Sequence, residues 1–322
     1  MDVDSEMRRG LVRLPPGSEM VTDADEEVFI LYSKSTPSSN ELRGLGYLDS
    51  HKDTLTLSFE LKPPTWSNSG TGKQKRKLAS RVIQDKTVEI QLAQDKTALR
   101  TRAGDTGSVV WRASVDFAQL ILQQHHAKSP TSIFDEGLRD ARVLELGSGT
   151  GLLGIALSPL VGHYTATDIA ELLPLIRKNM SLNFPGWPHV KQGTAAEGRN
   201  ISAFDFNWET LLSTPASRRS QLFPLPASPF DIVLIVDCIY HPTLLPPLLG
   251  AMDYVSTAGT TVVVVVMELR AEDVTREFLE GWLRSGEWEV WRMFVDAEFW
   301  KDTPYVMWVG WKGHDGDSIP LV

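Results

Sequence analysis

Apolar residues from about residue 105 onward follow two alternating patterns. Short continuous runs rich in β-branched residues, such as Val262–Val266, are typical of strands that are buried on both faces. Longer segments with apolar residues at helical spacing lie between these runs. The predicted strands cover 142–146, 163–168, 201–208, 230–240, 260–269, 287–295 and 305–312, and the predicted helices cover 152–160, 170–182, 242–255 and 272–285. This alternation predicts an α/β domain over residues 105–322 with a mostly parallel sheet, closed by a hairpin of the last two strands.

The N-terminal third has a different pattern. Residues 1–22 are charged, contain Pro and Gly and lack periodicity, so we expect them to be disordered. Residues 23–104 contain short segments rich in β-branched and aromatic residues, at 26–33, 54–61 and 86–93, which predict antiparallel strands. We therefore expect a β-rich extension that either recognises a protein substrate or braces the sheet.

Charge and composition narrow the classes of partner. The chain of 322 residues carries a net charge of −9, which disfavours a general nucleic-acid binder and favours a basic partner. The basic cluster at Lys73–Arg81 is an exception, and it predicts either a solvated loop or a contact with ribosomal or other nucleic acid. No run approaches the roughly 20 apolar residues of a membrane span, so we expect a cytoplasmic protein, or one that is also nuclear. We also expect a monomer.

Cysteine and histidine usage bears on metal binding. Cys238 is the single cysteine, which excludes internal disulfides and any multi-cysteine zinc site. The histidines are scattered without a ligand spacing, so we predict no metal.

The segment Ala141–Leu157, with the sequence ARVLELGSGTGLLGIAL, carries the first functional signal. Gly147, Gly149 and Gly151 occur at alternate positions between a predicted strand and a predicted helix. Glycine costs roughly 0.5–1 kcal/mol relative to alanine inside an element, unless the backbone needs a positive φ or a close contact. A glycine turn at the carboxyl edge of a parallel sheet predicts a ligand site.

Two kinds of ligand fit these glycines. Gly149-x-Gly151-x-x-Gly154 matches the dinucleotide pattern, and Asp168 lies where a ribose-binding acid would end the next strand. This interpretation predicts an NAD(P)-dependent oxidoreductase. However, Glu145 lies inside the first strand, where a carboxylate would repel a pyrophosphate and attract an ammonium group.

Glu145 followed by GSGTG resembles the first motif of the class I methyltransferases, which use S-adenosylmethionine. The resemblance implies a Rossmann-like, seven-stranded methyltransferase sheet. It also implies that the turn residues lie against the cofactor, namely Gly147, Ser148, Gly149 and Gly151. Glu145 would lie near the amino-acid end of the cofactor, and Asp168 would hold the ribose hydroxyls.

A second motif points to the kind of substrate. Asp237-Cys238-Ile239-Tyr240 resembles the DxxY motif of the protein-lysine methyltransferase branch of this superfamily. Trp111 resembles the branch's tryptophan upstream of the first motif, and Asn207-Trp208 resembles its Asp/Asn-Trp pair near the adenine.

Several segments, including DEEVFILYS, LGYLDS, LTLSF, GSVVW and DCIYHPTLL, together resemble the fungal ribosomal lysine methyltransferase 5 group. That resemblance implies a ribosomal protein as substrate. The chain departs from the expected pattern at His241, where the group would have Asn.

These residues imply a division of roles. We expect Asp237 to position the ammonium of a substrate lysine and Tyr240 to line the opening, while Cys238 is a small buried apolar residue and not a nucleophile. The alternatives that remain are a methyltransferase for another substrate, an NAD(P)-dependent oxidoreductase and an inactive cofactor-binding adaptor.

Overall fold

The computed structural model describes residues 8–34, 46–49, 51–64, 84–95, 106–189, 197–295, 300 and 303–313. The basic cluster Lys73–Arg81 lies outside the described residues. None of the helices in the described ranges is both long enough and apolar enough to cross a membrane.

The N-terminal region contributes strands and one helix. The strands β1 (Arg8–Arg9), β2 (Val12–Arg13) and β3 (Glu19–Val21) precede helix α1 (Ala24–Lys34). Two further strands, β4 (Thr54–Leu61) and β5 (Lys86–Ala93), pair antiparallel along their whole lengths. This hairpin confirms the two strands predicted at these positions, and its buried face alternates with an exposed one along β4.

The rest of the described chain alternates helices and strands as predicted. The strands are β6 (Arg142–Leu146), β7 (His163–Asp168), β8 (Ile201–Asp205), β9 (Ile232–Val236), β10 (Val262–Glu268), β11 (Trp288–Arg292) and β12 (Tyr305–Lys312). The helices are α2 (Arg112–Ala127), α3 (Leu152–Leu157), α4 (Leu173–Asn183), α5 (Trp208–Ser213), α6 (Ala216–Leu222), α7 (Leu245–Val255) and α8 (Glu272–Leu283). Short 3₁₀ turns at Glu136–Asp140, Ser158–Leu160 and Pro242–Leu244 complete them.

One large sheet organises the fold, with the strand order β3-β11-β12-β10-β9-β6-β7-β8. The neighbours from β10 to β8 are parallel, whereas β12, β11 and β3 add antiparallel pairs. The α/β class, the seven strands β6–β12 and the closing hairpin are therefore confirmed. The sheet has an eighth strand, because β3 from the N-terminal region pairs with β11.

Helices cover both faces of this sheet and create two hydrophobic cores. One core contains α2, α3, α4 and the β4–β5 hairpin, and the other contains α1, α7 and α8. Alternate valines of β10 point into opposite cores, with Val262, Val264 and Val266 in the first and Val263 and Val265 in the second. This two-sided burial is the physical reason for the continuous apolar run.

Two expectations for the N-terminal region are wrong. Residues 8–22 are not disordered, since they include β3, which is hydrogen-bonded to the sheet. Residues 26–33 form part of α1 and not a strand. The Asp23 carboxylate accepts a hydrogen bond from the Glu26 amide at 2.8 Å, which stabilises a helix start, and Val28 packs fully buried in the second core.

Glu27 ties α1 to the sheet. Its carboxylate is 5% exposed, accepts a hydrogen bond from Trp308 Nε1 at 2.8 Å, and pairs with Arg292. Arg292 also pairs with Glu19 of β3. The N-terminal region therefore braces the sheet, whatever its role towards a substrate.

We predict that Glu27→Ala lowers the free energy of unfolding by about 2–3 kcal/mol, because it leaves Trp308 Nε1 without its acceptor and Arg292 with Glu19 as its remaining partner. Glu26→Ala removes an exposed carboxylate from the same helical turn and should cost less than about 1 kcal/mol. Urea denaturation followed by tryptophan fluorescence measures both. Equal transition midpoints for the two variants would contradict the assignment.

Candidate active site

The glycine turn between β6 and α3 has the backbone that its sequence predicts. The φ angles of Gly147, Gly149 and Gly151 are 75°, 53° and 79°, in the left-handed region that favours glycine. A Cβ atom on Gly147 would lie 2.6 Å from Cys238 Sγ and 3.2 Å from the Trp208 ring. Both reasons for glycine, positive φ and close contact, therefore apply at this turn.

Hydrogen bonds hold the turn against the end of β7. The amides of Gly147 and Ser148 donate to Thr167 O at 3.0 and 2.9 Å, and the Thr167 amide donates back to Ser148 Oγ at 3.0 Å. The Gly149 amide donates to Asp168 Oδ2 at 2.8 Å. Asp168 thus fixes the turn and also stands at the carboxyl end of its strand.

Glu145 is a buried carboxylic acid beneath this turn. Its side chain accepts a hydrogen bond from Tyr164 Oη at 2.9 Å, and the residue is 3% exposed. Burial raises the pKa of Glu145 to about 7, although hydrogen bonds from Ser148 and Tyr164 act in the opposite direction. A group with this pKa changes its charge near neutrality and would be stabilised as a carboxylate by a nearby cation.

A cavity of about 850 Å³ opens at the carboxyl ends of β6, β7 and β9. It brings together almost all of the residues that the sequence singles out. The lining includes Trp111, Glu145, Gly147, Ser148, Gly149, Asp168, Asn207, Trp208, Asp237 and Tyr240. Gly151 is not part of the lining and instead packs against Ile176 of α4, so its contribution to the site is indirect.

The charges on the cavity wall have one sign. The acidic residues in the lining are Glu145, Asp168, Glu171, Glu209 and Asp237. Among the described residues that line the cavity, there is no lysine or arginine. Such a wall favours a cationic ligand and disfavours a pyrophosphate.

Asp237 does not present a free carboxylate to this cavity. Its side chain is 2% exposed, and both oxygens accept hydrogen bonds from Arg270, each at 2.7 Å. The direct contact between Asp237 and a substrate ammonium stays a prediction, and in this arrangement the Arg270 guanidinium occupies that face of the carboxylate. Asp237 has a φ of 59°, where the chain leaves β9 and turns towards Tyr240.

Arg270 was not predicted as a site residue from the sequence. The reasoning that identifies Asp237, namely its position just after a buried parallel strand, applies equally to Arg270. Arg270 follows the end of β10, which is parallel to β9 and adjacent to it. Its guanidinium lies 5.3 Å from the centroid of the Trp111 ring, and Trp111 Nε1 donates to Thr106 O at 2.8 Å. Residues just after every parallel strand, and not only those after β9, are candidates for the site.

Asn207 and Trp208 begin helix α5 at one side of the cavity. Asn207 is the N-cap, and its side chain accepts a hydrogen bond from the Thr210 amide at 2.9 Å. Trp208 was predicted at the end of a strand, but β8 ends at Asp205 and the cap turns the chain into a helix. The buried Trp208 Nε1 makes no hydrogen bond to the described residues.

Tyr240 lies at the rim of the cavity and is 37% exposed. The next residue, His241, is the N-cap of the Pro242–Leu244 turn, and its Nδ1 accepts a hydrogen bond from the Thr243 amide at 3.3 Å. An Asn at this position would supply the same kind of cap, which gives the departure at His241 a structural reason.

Cys238 is buried beneath the turn, as predicted. Burial raises the pKa of its thiol well above the ordinary value, and its Sγ lies 3.4 Å from Leu146 O. The thiol is therefore protonated and packed, which does not suit a nucleophile.

Comparisons with known proteins find similarity along most of the chain. Diaminohydroxyphosphoribosylamino-pyrimidine deaminase of Schizosaccharomyces pombe is 28% identical over 263 residues, covering 81% of this chain and 51% of that protein. Protein-lysine methyltransferase METTL21E of Bos taurus is 29% identical over 167 residues, covering 52% and 49%. Ribosomal lysine N-methyltransferase 5 of Candida glabrata is 26% identical over 319 residues, covering 80% and 88%. The chain thus spans about half the length of the first two relatives and most of the third.

A model of the lysine methyltransferase family matches residues 93–282. The matched region contains Trp111, the whole glycine turn, Asp168 and the segment Asp237–Tyr240. Because the match spans more than half of the 322 residues, the chain belongs to the lysine methyltransferase family.

Proposed function

We propose that this chain is an S-adenosylmethionine-dependent protein-lysine N-methyltransferase. The observation that carries the proposal is the cavity at the carboxyl edge of the sheet, whose described lining contains four acidic residues besides Asp237, which is paired with Arg270, and no lysine or arginine. Both the cofactor, a sulfonium with an ammonium group, and a substrate lysine are cations. An acidic cavity attracts both.

Membership of the family implies S-adenosylmethionine as the cofactor, and the residues present fit it. We propose that Gly147, Ser148 and Gly149 lie against the cofactor, since all three line the cavity at the carboxyl edge of the sheet. Glu145 would lie near the ammonium of its amino-acid end, and Asp168 would accept hydrogen bonds from the ribose hydroxyls. Asn207, Trp208 and Trp111 would complete the pocket on the side of the base.

The cofactor, when bound, supplies a methyl group on a sulfonium, which is a good leaving group. The chain therefore needs mainly to orient an uncharged amine, because proximity and alignment supply most of the acceleration in such a displacement. A lysine has an ordinary pKa of about 10.4 and must lose a proton before it attacks. We propose that the lysine enters past Tyr240, whose ring favours a cation, and that its proton passes to solvent at the rim.

The class of protein substrate is proposed from a relative that matches over most of its length. The C. glabrata protein, matched over 88% of its length, is named as a ribosomal lysine N-methyltransferase. We propose a ribosomal or other translation-associated protein as the substrate here. The net charge of −9 supports a basic protein partner over direct binding of nucleic acid.

Two other activities are less well supported. An NAD(P)-dependent oxidoreductase would place a pyrophosphate among the carboxylates of the lining, where the charges repel. The S. pombe relative is named a deaminase, but zinc deaminases of nucleobases hold their metal with a PCxxC segment, and this chain has one cysteine.

The first test is titration calorimetry of the purified chain with S-adenosylhomocysteine and, separately, with NADH. We expect micromolar affinity for the first ligand alone, followed by transfer of labelled methyl groups to lysine in a ribosomal protein fraction, located by mass spectrometry. Binding of NADH alone would overturn the cofactor assignment. Binding of S-adenosylhomocysteine with methyl transfer only to nucleic acid or small molecules would overturn the substrate class.

We predict that affinity for S-adenosylhomocysteine depends on the protonation of Glu145. The ligand's ammonium favours the carboxylate form, and the pKa of Glu145 in the free protein is about 7. The dissociation constant should be constant well above pH 7 and rise by up to about tenfold per unit as the pH falls below 7.

The control for this pH dependence is a matched pair of substitutions. Glu145→Gln should weaken binding and flatten the pH profile. Asp205→Asn, which removes an exposed carboxylate at the end of β8, should keep the wild-type profile. A profile that Glu145→Gln leaves unchanged would refute this role.

Gly147→Ala should lower affinity for S-adenosylhomocysteine by at least about tenfold, because the new methyl group displaces Trp208 and strains a backbone with a φ of 75°. Gly286→Ala is a matched control, since Gly286 has a φ of 67° and open space around its Cα. Both variants should lose some thermal stability, but only the first should lose affinity. An equal change in affinity would argue against a cofactor contact at Gly147.

A further inference from the structure

Arg270 makes a dense set of polar contacts beside the cavity. Its Nη1 and Nη2 donate to the two carboxylate oxygens of Asp237, each at 2.7 Å, and Nη2 also donates to Glu268 Oε2 at 2.9 Å. The parallel pair of bonds to Asp237 is the bidentate geometry in which arginine fixes the orientation of a carboxylate. The Glu268 amide also donates to Asp237 Oδ1, at 3.3 Å, so Arg270 orients the Asp237 side chain together with the backbone of β10.

Neighbouring groups hold the guanidinium in its own orientation. Trp111 lies beneath its face at 5.3 Å, and Tyr47 meets Trp111 edge to face with ring centroids 6.1 Å apart. Gly46 packs against it as well, since a Cβ atom on Gly46 would lie 2.6 Å from Arg270 Nη2. Backbone bonds between Gly46 O and the Arg112 amide, and between the Leu48 amide and Val110 O, keep this contact in place.

Asp237 has a backbone that needs such support. Its φ of 59° is in the left-handed region, which aspartate enters more readily than most non-glycine residues but which still favours glycine. The Asp237 amide donates to Val266 O at 2.7 Å, so the backbone is held by β10 while the side chain is held by Arg270. From this point the chain turns out of the sheet and reaches Tyr240 at the rim within three residues.

We infer that Arg270 is a positioning residue: by clamping Asp237 it fixes the turn at 237–240, and so the place of Tyr240 at the mouth of the cavity. The consequence for lysine methylation rests on the proposed function, whereas the effect on the turn does not. Lysine cannot replace Arg270, because a single ammonium lacks the planar pair of donors. Through Gly46 and Tyr47, the same clamp connects the N-terminal region to the site.

The test compares Arg270→Met with Arg276→Met by hydrogen–deuterium exchange of the backbone amides of residues 237–244. Arg276 is a matched control, since it pairs with two carboxylates, Asp25 and Glu272, at 2.7 and 2.8 Å on the surface. Arg270→Met should speed exchange in 237–244 by at least about tenfold, whereas Arg276→Met should leave it unchanged. Unchanged exchange in Arg270→Met would overturn the inference.

A second variant distinguishes a loss of positioning from misfolding. Arg270→Met leaves the Asp237 carboxylate buried without its cationic partner, whereas the double variant Asp237→Asn with Arg270→Met removes both charges. The double variant should be more stable than Arg270→Met and should still exchange faster than wild type in 237–244. Wild-type exchange in the double variant would show that the clamp does not position the turn.

Activity assays separate positioning from general damage. Arg270→Met and Arg270→Lys should lower kcat/KM for the protein substrate by at least about tenfold while keeping the dissociation constant of S-adenosylhomocysteine within about threefold. A parallel loss of cofactor affinity would overturn the positioning role. If the wild-type chain fails to methylate lysine, the proposed function fails, and the exchange experiment still decides the role of Arg270.

Discussion

The contact between the glycine turn and the end of β7 determines the shape of the site. Ser148 and Thr167 exchange hydrogen bonds, and the Gly149 amide donates to Asp168. These bonds fix the turn that follows β6 to the carboxyl end of β7. This arrangement brings the turn so close to Cys238 and Trp208 that a single Cβ on Gly147 would collide with both. The cavity exists because small residues and left-handed backbone keep side chains out of this edge of the sheet.

Electrostatics divides the cavity into two regions. Towards β6 and β7, Glu145 and Asp168 place two carboxyl groups beside the glycine turn. Towards β9 and β10, Asp237 is neutralised by Arg270, which itself pairs with a second carboxylate. The first region suits a cationic cofactor. The second region is an ion pair that stabilises the wall of the cavity, so most of the negative charge of the cavity lies in the first region.

The N-terminal region is integrated with the rest of the described chain. Glu27 reaches Arg292 and Trp308 in the large sheet, β3 adds a strand to its edge, and Gly46 and Tyr47 pack over Arg270 and Trp111. We propose that the division at residues 104 and 105 is a difference in sequence pattern more than a boundary between independent units. A truncation at that division would remove part of the core and part of the wall of the site.

The sequence by itself determined the features that depend on local pattern. The valine run of β10 requires burial on both faces, the glycines predict a turn with positive φ angles, and acids at the ends of β7 and β9 lie at one sheet edge. Tertiary structure alone decided that residues 26–33 form a helix and not a strand, because burial of Val28 and Glu27 on one side of the helix outweighs the β propensity of the apolar residues of this segment. It also decided that Asp237 is paired with Arg270, since a sequence shows that a carboxylate is present but not which of its partners comes within 2.7 Å.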